Sequence, residues 1–359
     1  MKMKWIAVAV ASSALLAGCS LAPLQASALA DNSNAVSPTA LPPGSIGSNG
    51  PVVGVNLYAI SNYTAAQTTT FGTRTLAYIK STLNASAVDL VWSMYVPSYS
   101  SDSVVTTKDT LTPANIGILT KIAQRDGLTV EYRPLLFVQT SGNNWEGLLK
   151  PKNPTAWFNS YYERNLPYLK LAKKDHISEY VIGTEMKALS PAKQWPSFLA
   201  RSAKVFKQIS YAQNQYVYFR PHTDLPPTKL TGVDMYEPLN LPADAPLAKV
   251  EAAYDKFFAS MPASILRRSA IQETGIEARA GAYQDPPNLT LPGKLDQEIQ
   301  YNWFTAGCAA VKRFHLRGIF FWKVDLADNP LTHPASSLST WEGKEGAVAI
   351  SDCEKILKG

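Results

Sequence analysis

Residues that build metal and redox centres are scarce in this chain: four histidines and three cysteines among 359 residues. His176, His222, His315 and His333 stand singly, and no Cys-x-x-Cys occurs, so no metal centre is expected. No Gly-x-Ser-x-Gly elbow is present, which removes the usual frame for a serine hydrolase. The first apolar run continues as Val55-Asn56-Leu57-Tyr58, neither a dinucleotide fingerprint nor a P-loop. Basic residues form no run along the chain, and the net charge of +6 is modest, so nucleic acid is not an expected partner. No apolar run is long enough to cross a bilayer.

What is present begins with an address. Lys2 and Lys4 precede an apolar stretch, Trp5 to Leu16, that closes on Leu16-Ala17-Gly18-Cys19. This order of charge, apolar run, small residues and cysteine reads as a lipoprotein signal over residues 1–18, with Cys19 carrying lipid. Ser20 stands where an inner-membrane retention signal would show Asp, so the expectation is an outer-membrane anchor, facing the periplasm or the surface. Residues 19–51 are rich in Ala, Ser, Pro, Gly and Asn and read as a flexible linker. Residues 52–359 then form one domain, by default a monomer. Cys308 and Cys353 remain: a disulfide and two buried thiols are both open.

Eight short apolar or aromatic runs recur along that domain: Val52–Leu57, Ala87–Trp92, Leu128–Tyr132, Tyr180–Thr184, Tyr216–Phe219, Leu230–Met235, Ser269–Gln272 and Gly318–Trp322. Between them, Thr73–Leu83, Pro113–Arg125, Thr155–Lys174, Trp195–Gln213, Val250–Met261 and Leu295–Phe314 carry apolar residues at helical spacing. Alternation of strand and helix at this length predicts an α/β (β/α)8 TIM barrel, with an open doubly wound sheet as the alternative. The stretch between Phe219 and Leu230 is short and proline-rich, so the fifth crossover is expected to be reduced.

Two of the runs finish on a carboxylate: Glu185 after Gly183-Thr184, and Glu273 after Ile271-Gln272. In a closed barrel the fourth and seventh strands face each other across the mouth, where chemistry collects. One glutamate held protonated and one ionised form the pair that cleaves a glycosidic bond. Taken singly, a strand-terminal Glu can equally cap a helix, pair with Arg or sit solvated. Aromatic residues strengthen the first alternative. Trp322 ends the eighth run, Tyr236 follows the sixth, Trp92 ends the second, and Trp145 lies in the polar loop Ser141-Gly142-Asn143-Asn144-Trp145-Glu146-Gly147. Flat rings suit the C–H faces of sugars, although core packing is the other use of a ring such as Trp92.

Several ordered stretches make the chain resemble glycoside hydrolase family 113. They are Tyr132-Arg133-Pro134 with Asn144-Trp145-Glu146-Gly147; Trp157-Phe158-Asn159-Ser160-Tyr161; Ile182-Gly183-Thr184-Glu185-Met186; Val233-Asp234-Met235-Tyr236-Glu237-Pro238-Leu239; Glu273-Thr274-Gly275; and Gly318-Ile319-Phe320-Phe321-Trp322-Lys323. The resemblance implies Glu185 as acid/base and Glu273 as nucleophile. It implies that Tyr236 holds the nucleophile, Trp322 floors the adjacent subsite, Trp145 is a sugar platform and Arg133 orients carboxylates. It further implies a β-1,4-mannan-degrading activity with no catalytic metal and no cofactor. Leu136, Ile276 and the fifth-loop residues His222 and Asp224 depart from the family pattern and bear on specificity; His222 is a further substrate-binding candidate.

The expected function is therefore a retaining β-glycosidase, endo-acting on β-1,4-mannan or a related mannose-containing or bacterial polysaccharide. The competing expectation is a non-catalytic glycan-binding outer-membrane lipoprotein. The expected partners are a polysaccharide or oligosaccharide and the membrane, through Cys19.

Overall fold

The computed structural model describes residues 41–140, 142–220, 226–288 and 290–359. Eight parallel strands close into a barrel: β1 Val52–Ala59, β2 Ala87–Val96, β3 Thr129–Val138, β4 Glu179–Thr184, β5 Ile209–Asn214, β6 Thr231–Met235, β7 Ser269–Thr274 and β8 Gly318–Asp325. Pairing of Val52 with Gly318 and of Val53 with Ile319 completes the ring. The helices between and after them are α1 Ala65–Ser81, α2 Pro113–Arg125, α3 Pro154–Lys174, α4 Trp195–Ala203, α5 Gln215–Tyr218, α6 Leu247–Phe258, α7 Ala263–Leu266, α8 Gln297–Phe314 and α9 Glu345–Lys358. This is the (β/α)8 architecture anticipated from the alternation.

Period-two alternation sorts the strand side chains. Val53, Val55 and Leu57 of β1 join the large apolar layer between strands and helices. Val52, Gly54, Asn56 and Tyr58 turn to the barrel interior, where Gly54 leaves room for the Phe320 ring; a Cβ there would come within 2.3 Å of it. The interior is apolar at its N-terminal end, with Ile46, Ala87 and Phe320 in contact, and polar above.

Three local assignments differ from expectation. The fifth strand is Ile209–Asn214, all but its last residue within the stretch expected to be one long helix; α4 stops at Ala203. Tyr216–Phe219, expected to be that strand, largely forms the single turn α5. The cause is composition. β5 carries Ser210, Ala212 and Asn214, which give no apolar run, whereas Tyr218 and Phe219 are aromatic because they pack at the helix layer, Phe219 lying 5.3 Å from Phe258. α1 begins at Ala65, earlier than expected, because Thr64 and Gln67 form a capping box ahead of a threonine-rich first turn. The fifth crossover is reduced as expected: its described residues hold only the four-residue α5.

Two links tie the first and last described segments to the barrel. Cys308 of α8 and Cys353 of α9 are disulfide-bonded, settling the alternative left open above. Residues 41–51 lie across the N-terminal end of the barrel, where buried Ile46 offers its carbonyl to Arg317 Nη1 at 3.0 Å. Arg317 is itself paired with Glu179 at 2.6 Å, both fully buried.

Candidate active site

Glu185 follows directly on β4, and its N–H still bonds Ala212 O of β5 at 3.0 Å. Its φ of 47° lies in the left-handed region, so the chain bends as it leaves the sheet. Both carboxylate oxygens accept a hydrogen bond. Trp145 Nε1–H donates to Oε2 at 2.7 Å, and Asn214 Nδ2–H donates to Oε1 at 2.7 Å. Asn214 is fixed in turn, since its Oδ1 accepts the Tyr216 N–H at 3.0 Å. The indole of Trp145 lies against Gly147, where a Cβ would come within 2.3 Å of the ring.

Glu273 lies on β7 opposite, with 14% of its side chain exposed. The Tyr236 hydroxyl donates to Oε1 at 2.6 Å, and Arg133 Nη1 donates to Oε2 at 2.6 Å. Arg133 is wholly buried on β3 and spans the barrel interior: its Nη2 donates to Asp234 Oδ1 at 2.9 Å and to Gln272 O at 3.1 Å. Asp89 approaches its Nε at 3.5 Å and accepts from Asn56 Nδ2 at 2.8 Å. Below, Gln272 Nε2 donates to Glu131 Oε1.

The two glutamates have unlike surroundings. Burial and then the negative charge of Glu273 raise Glu185 to about 7, against the lowering effect of the Asn214 and Trp145 donors. Glu273 instead accepts from a guanidinium and a phenol. Burial works against the charge of Arg133, but Asp234, Glu273 and Asp89 outweigh it and raise its pKa above the usual range. Burial and the Glu273 charge raise Tyr236 well above an ordinary phenol, so it remains a donor. A third carboxyl, Glu146, is buried beside the pair, and burial followed by the Glu185 charge holds it well above the usual carboxylate range. The site therefore contains a carboxyl raised to about 7, a second carboxyl across the mouth and two donors aimed at the latter.

Of the anticipated residues, Glu185, Glu273, Tyr236, Arg133 and Trp145 meet in this network. Trp322 lies half-buried within β8, three residues before its end and 5.8 Å from Tyr58 between ring centroids, and forms an apolar floor with Tyr58, Phe137 and Leu135. Its carbonyl accepts Trp341 Nε1–H at 3.0 Å. Trp92 does not belong to the site. It is fully buried and stacks on Tyr168 at 4.6 Å in the helix layer, because Ala87, Asp89, Val91 and Ser93 take the inward parity of β2. His222, Asp224 and Cys19 lie outside the described residues.

Sequence reasoning missed Asn214, Glu146 and Tyr58. Asn214 was hidden by the misplacement of β5; a correct strand there puts it at a C-terminal strand end. Glu146 was in view beside Trp145, but a loop glutamate gives no local sign of burial. Tyr58 is the last inward-parity residue of β1, a signal that could have found it.

The model of Glycoside Hydrolase Family 113 matches residues 60–337. The chain belongs to glycoside hydrolase family 113. This glycoside hydrolase is similar in structure to a GH113 β-1,4-mannanase at 16% identity, with TM-score 0.70, covering 85% of this chain and 98% of that one. The GH113 β-mannanase of Alicyclobacillus acidocaldarius, in complex with ManMIm, aligns at 18% identity and TM-score 0.68 over 87% of this chain and 100% of that one. A GH5_18 protein of Streptomyces cattleya, in complex with GlcNAc, aligns at 14% identity and TM-score 0.55 over 86% and 80%. At these identities the likenesses establish the fold. No curated protein matches the chain. Family membership makes the protein a glycoside hydrolase acting on an oligosaccharide or polysaccharide.

Proposed function

We propose that this glycoside hydrolase is a retaining β-glycosidase, endo-acting on β-1,4-mannan or a related mannose-containing or bacterial polysaccharide. The observation that carries the reading is the unlike surroundings of two glutamates at one mouth: Glu185 among burial and neutral N–H donors, Glu273 against Arg133 and Tyr236. In the first step Glu185 gives its proton to the glycosidic oxygen as Glu273 attacks the anomeric carbon. The C–O bond breaks and a glycosyl ester forms on Glu273. In the second step Glu185, now ionised, takes a proton from water, which opens the ester and restores both groups. Trp322 and Tyr58 would carry the sugar next to the cleaved bond. Support for β-mannan as substrate comes from the family and from its structural relatives, which are β-mannanases.

The experiment is a screen of mannan, glucomannan and secreted bacterial polysaccharides, with products weighed by mass spectrometry and early anomers read by proton NMR. Retention at the anomeric centre is expected, because attack by Glu273 and then by water inverts that centre twice. Inverted first products would overturn the double displacement. Glu273→Gln is expected to abolish hydrolysis and leave binding in place; wild-type protein that binds a glycan of the panel and cuts none would establish the non-catalytic alternative.

The proposal extends to location: a chain cleaved before Cys19, lipidated there and held at the outer membrane. The mass of the N-terminal peptide from isolated protein tests it, an unmodified Cys19 being the contrary result.

A further inference from the structure

The N-terminal end of the barrel, opposite the active-site mouth, carries cations that no run in the sequence announces. One cavity of about 350 Å³ there is lined by Lys173, His176, Lys204 and Lys207, with Ile177 and Phe206 as apolar walls. A second, of about 300 Å³, is lined by Arg267, Lys312 and His315 around the buried Arg317. No carboxylate lines either cavity. Lys173, Lys204, Lys207, Arg267 and Lys312 are exposed and form no ion pair among the described residues.

Helix dipoles account for part of this, because helix C-termini gather at this end and favour cations in their last turns. They do not account for Lys207, beyond the end of α4, or for the absence of carboxylates from both cavities. Glu179 at this end is taken up by Arg317, and Glu146, Glu185 and Glu273 lie at the opposite mouth. The chain outside the described residues also leaves from the basic end: Gly44 borders the first cavity, and Leu41, Gly47 and Gly50 border the second.

We propose that this face docks on a bilayer carrying anionic phospholipid headgroups, with lipid phosphates seated in the two cationic cavities and the active-site mouth turned away from the membrane. Charge complementarity and the exit of forty N-terminal residues beside the cavities support this occupant. The docking does not require a lipid on Cys19. With a lipid present, it would set which end of the barrel faces outward. Without one, it would still hold the protein at an anionic surface.

The test uses the full-length product, processed as the cell leaves it, mixed with phosphatidylcholine vesicles with and without phosphatidylglycerol. Backbone hydrogen exchange is read over residues 172–178 and 203–208, and the N-terminal mass reports separately whether Cys19 is lipidated. Slowed exchange is expected only on anionic vesicles, and it should vanish at high salt. Each surface cation near an anionic bilayer strengthens association about fivefold, so Lys173→Glu with Lys204→Glu and Lys207→Glu should weaken docking by about a hundredfold or more. Arg267→Glu with Lys312→Glu is the second variant, in case the first folds poorly. Hydrolysis of a soluble oligosaccharide should be unchanged in both. Equal protection on neutral vesicles, or undiminished protection in both variants, would overturn the proposal. So would protection by inorganic phosphate alone at matched ionic strength, which would make the cavities small-anion sites.

Discussion

Tyr236 and Arg133 divide Glu273 between them, one donor to each carboxylate oxygen at 2.6 Å. The two come from β3 and the residue after β6, so a single carboxylate joins three strands at the mouth. Removing either donor should affect the reaction more than the fold of the opposite wall.

Tyr236→Phe keeps the ring and loses one hydrogen bond to an ionised group. Such bonds contribute roughly 1.5–3 kcal/mol, so kcat/KM should fall by about ten- to a hundredfold. Steady-state kinetics on a soluble manno-oligosaccharide checks this, and an unchanged rate would remove Tyr236 from the mechanism.

Activity should decline on the alkaline side as Glu185, raised to about 7, gives up its proton. Asn214→Ala and Trp145→Phe each remove a donor that favours the ionised form, so both should move the alkaline limb upward. A downward shift in the pH–rate profile would contradict the assignment of Glu185 as the acid.

Stability follows the same group with a definite sign. Between the ordinary value of 4.5 and about 7, folded Glu185 holds a proton that the unfolded chain has released. Its contribution is therefore present in acid and lost as pH rises through that window, with a slope of at most about 1.4 kcal/mol per pH unit for one proton. Glu185→Gln should flatten this part of the profile and melt higher than wild type above neutrality, as calorimetry would show. Glu131, raised well above the carboxylate range by burial and then by the charge of Asp89, should behave likewise in Glu131→Gln.

Trp92 offers a contrast. Trp92→Ala should cost about 3–5 kcal/mol of stability through lost core packing. Its KM at low temperature should match wild type, and a large KM increase in folded protein would return Trp92 to the substrate site.

The disulfide closes a separation of 45 residues between α8 and α9. Chain-entropy arguments give such a link about 4 kcal/mol, so Cys308→Ala with Cys353→Ala should lower the denaturation midpoint clearly while leaving the rate at moderate temperature intact. Equal midpoints with and without the bond would contradict this.

Strand-ending glutamates, the apolar runs beside them and the helical spacing between were legible in the chain because each is a local pattern. Secondary structure with a repeating period and an acidic stop can be read from neighbours alone, and family stretches fall in chain order. That was enough for the barrel, for Glu185 and Glu273, and for most of their company. What folding alone decided is whatever depends on which side of a strand faces inward, or on residues distant in sequence. The parity of β2 sent Trp92 to the helix layer, and the polar inward face of β5 concealed both the strand and Asn214. The same long-range assembly buried Glu146 and gathered Lys173, Lys204 and Arg267, unremarkable singly, onto one face. Charge interacts through space, and a linear sequence does not record which charges will be near.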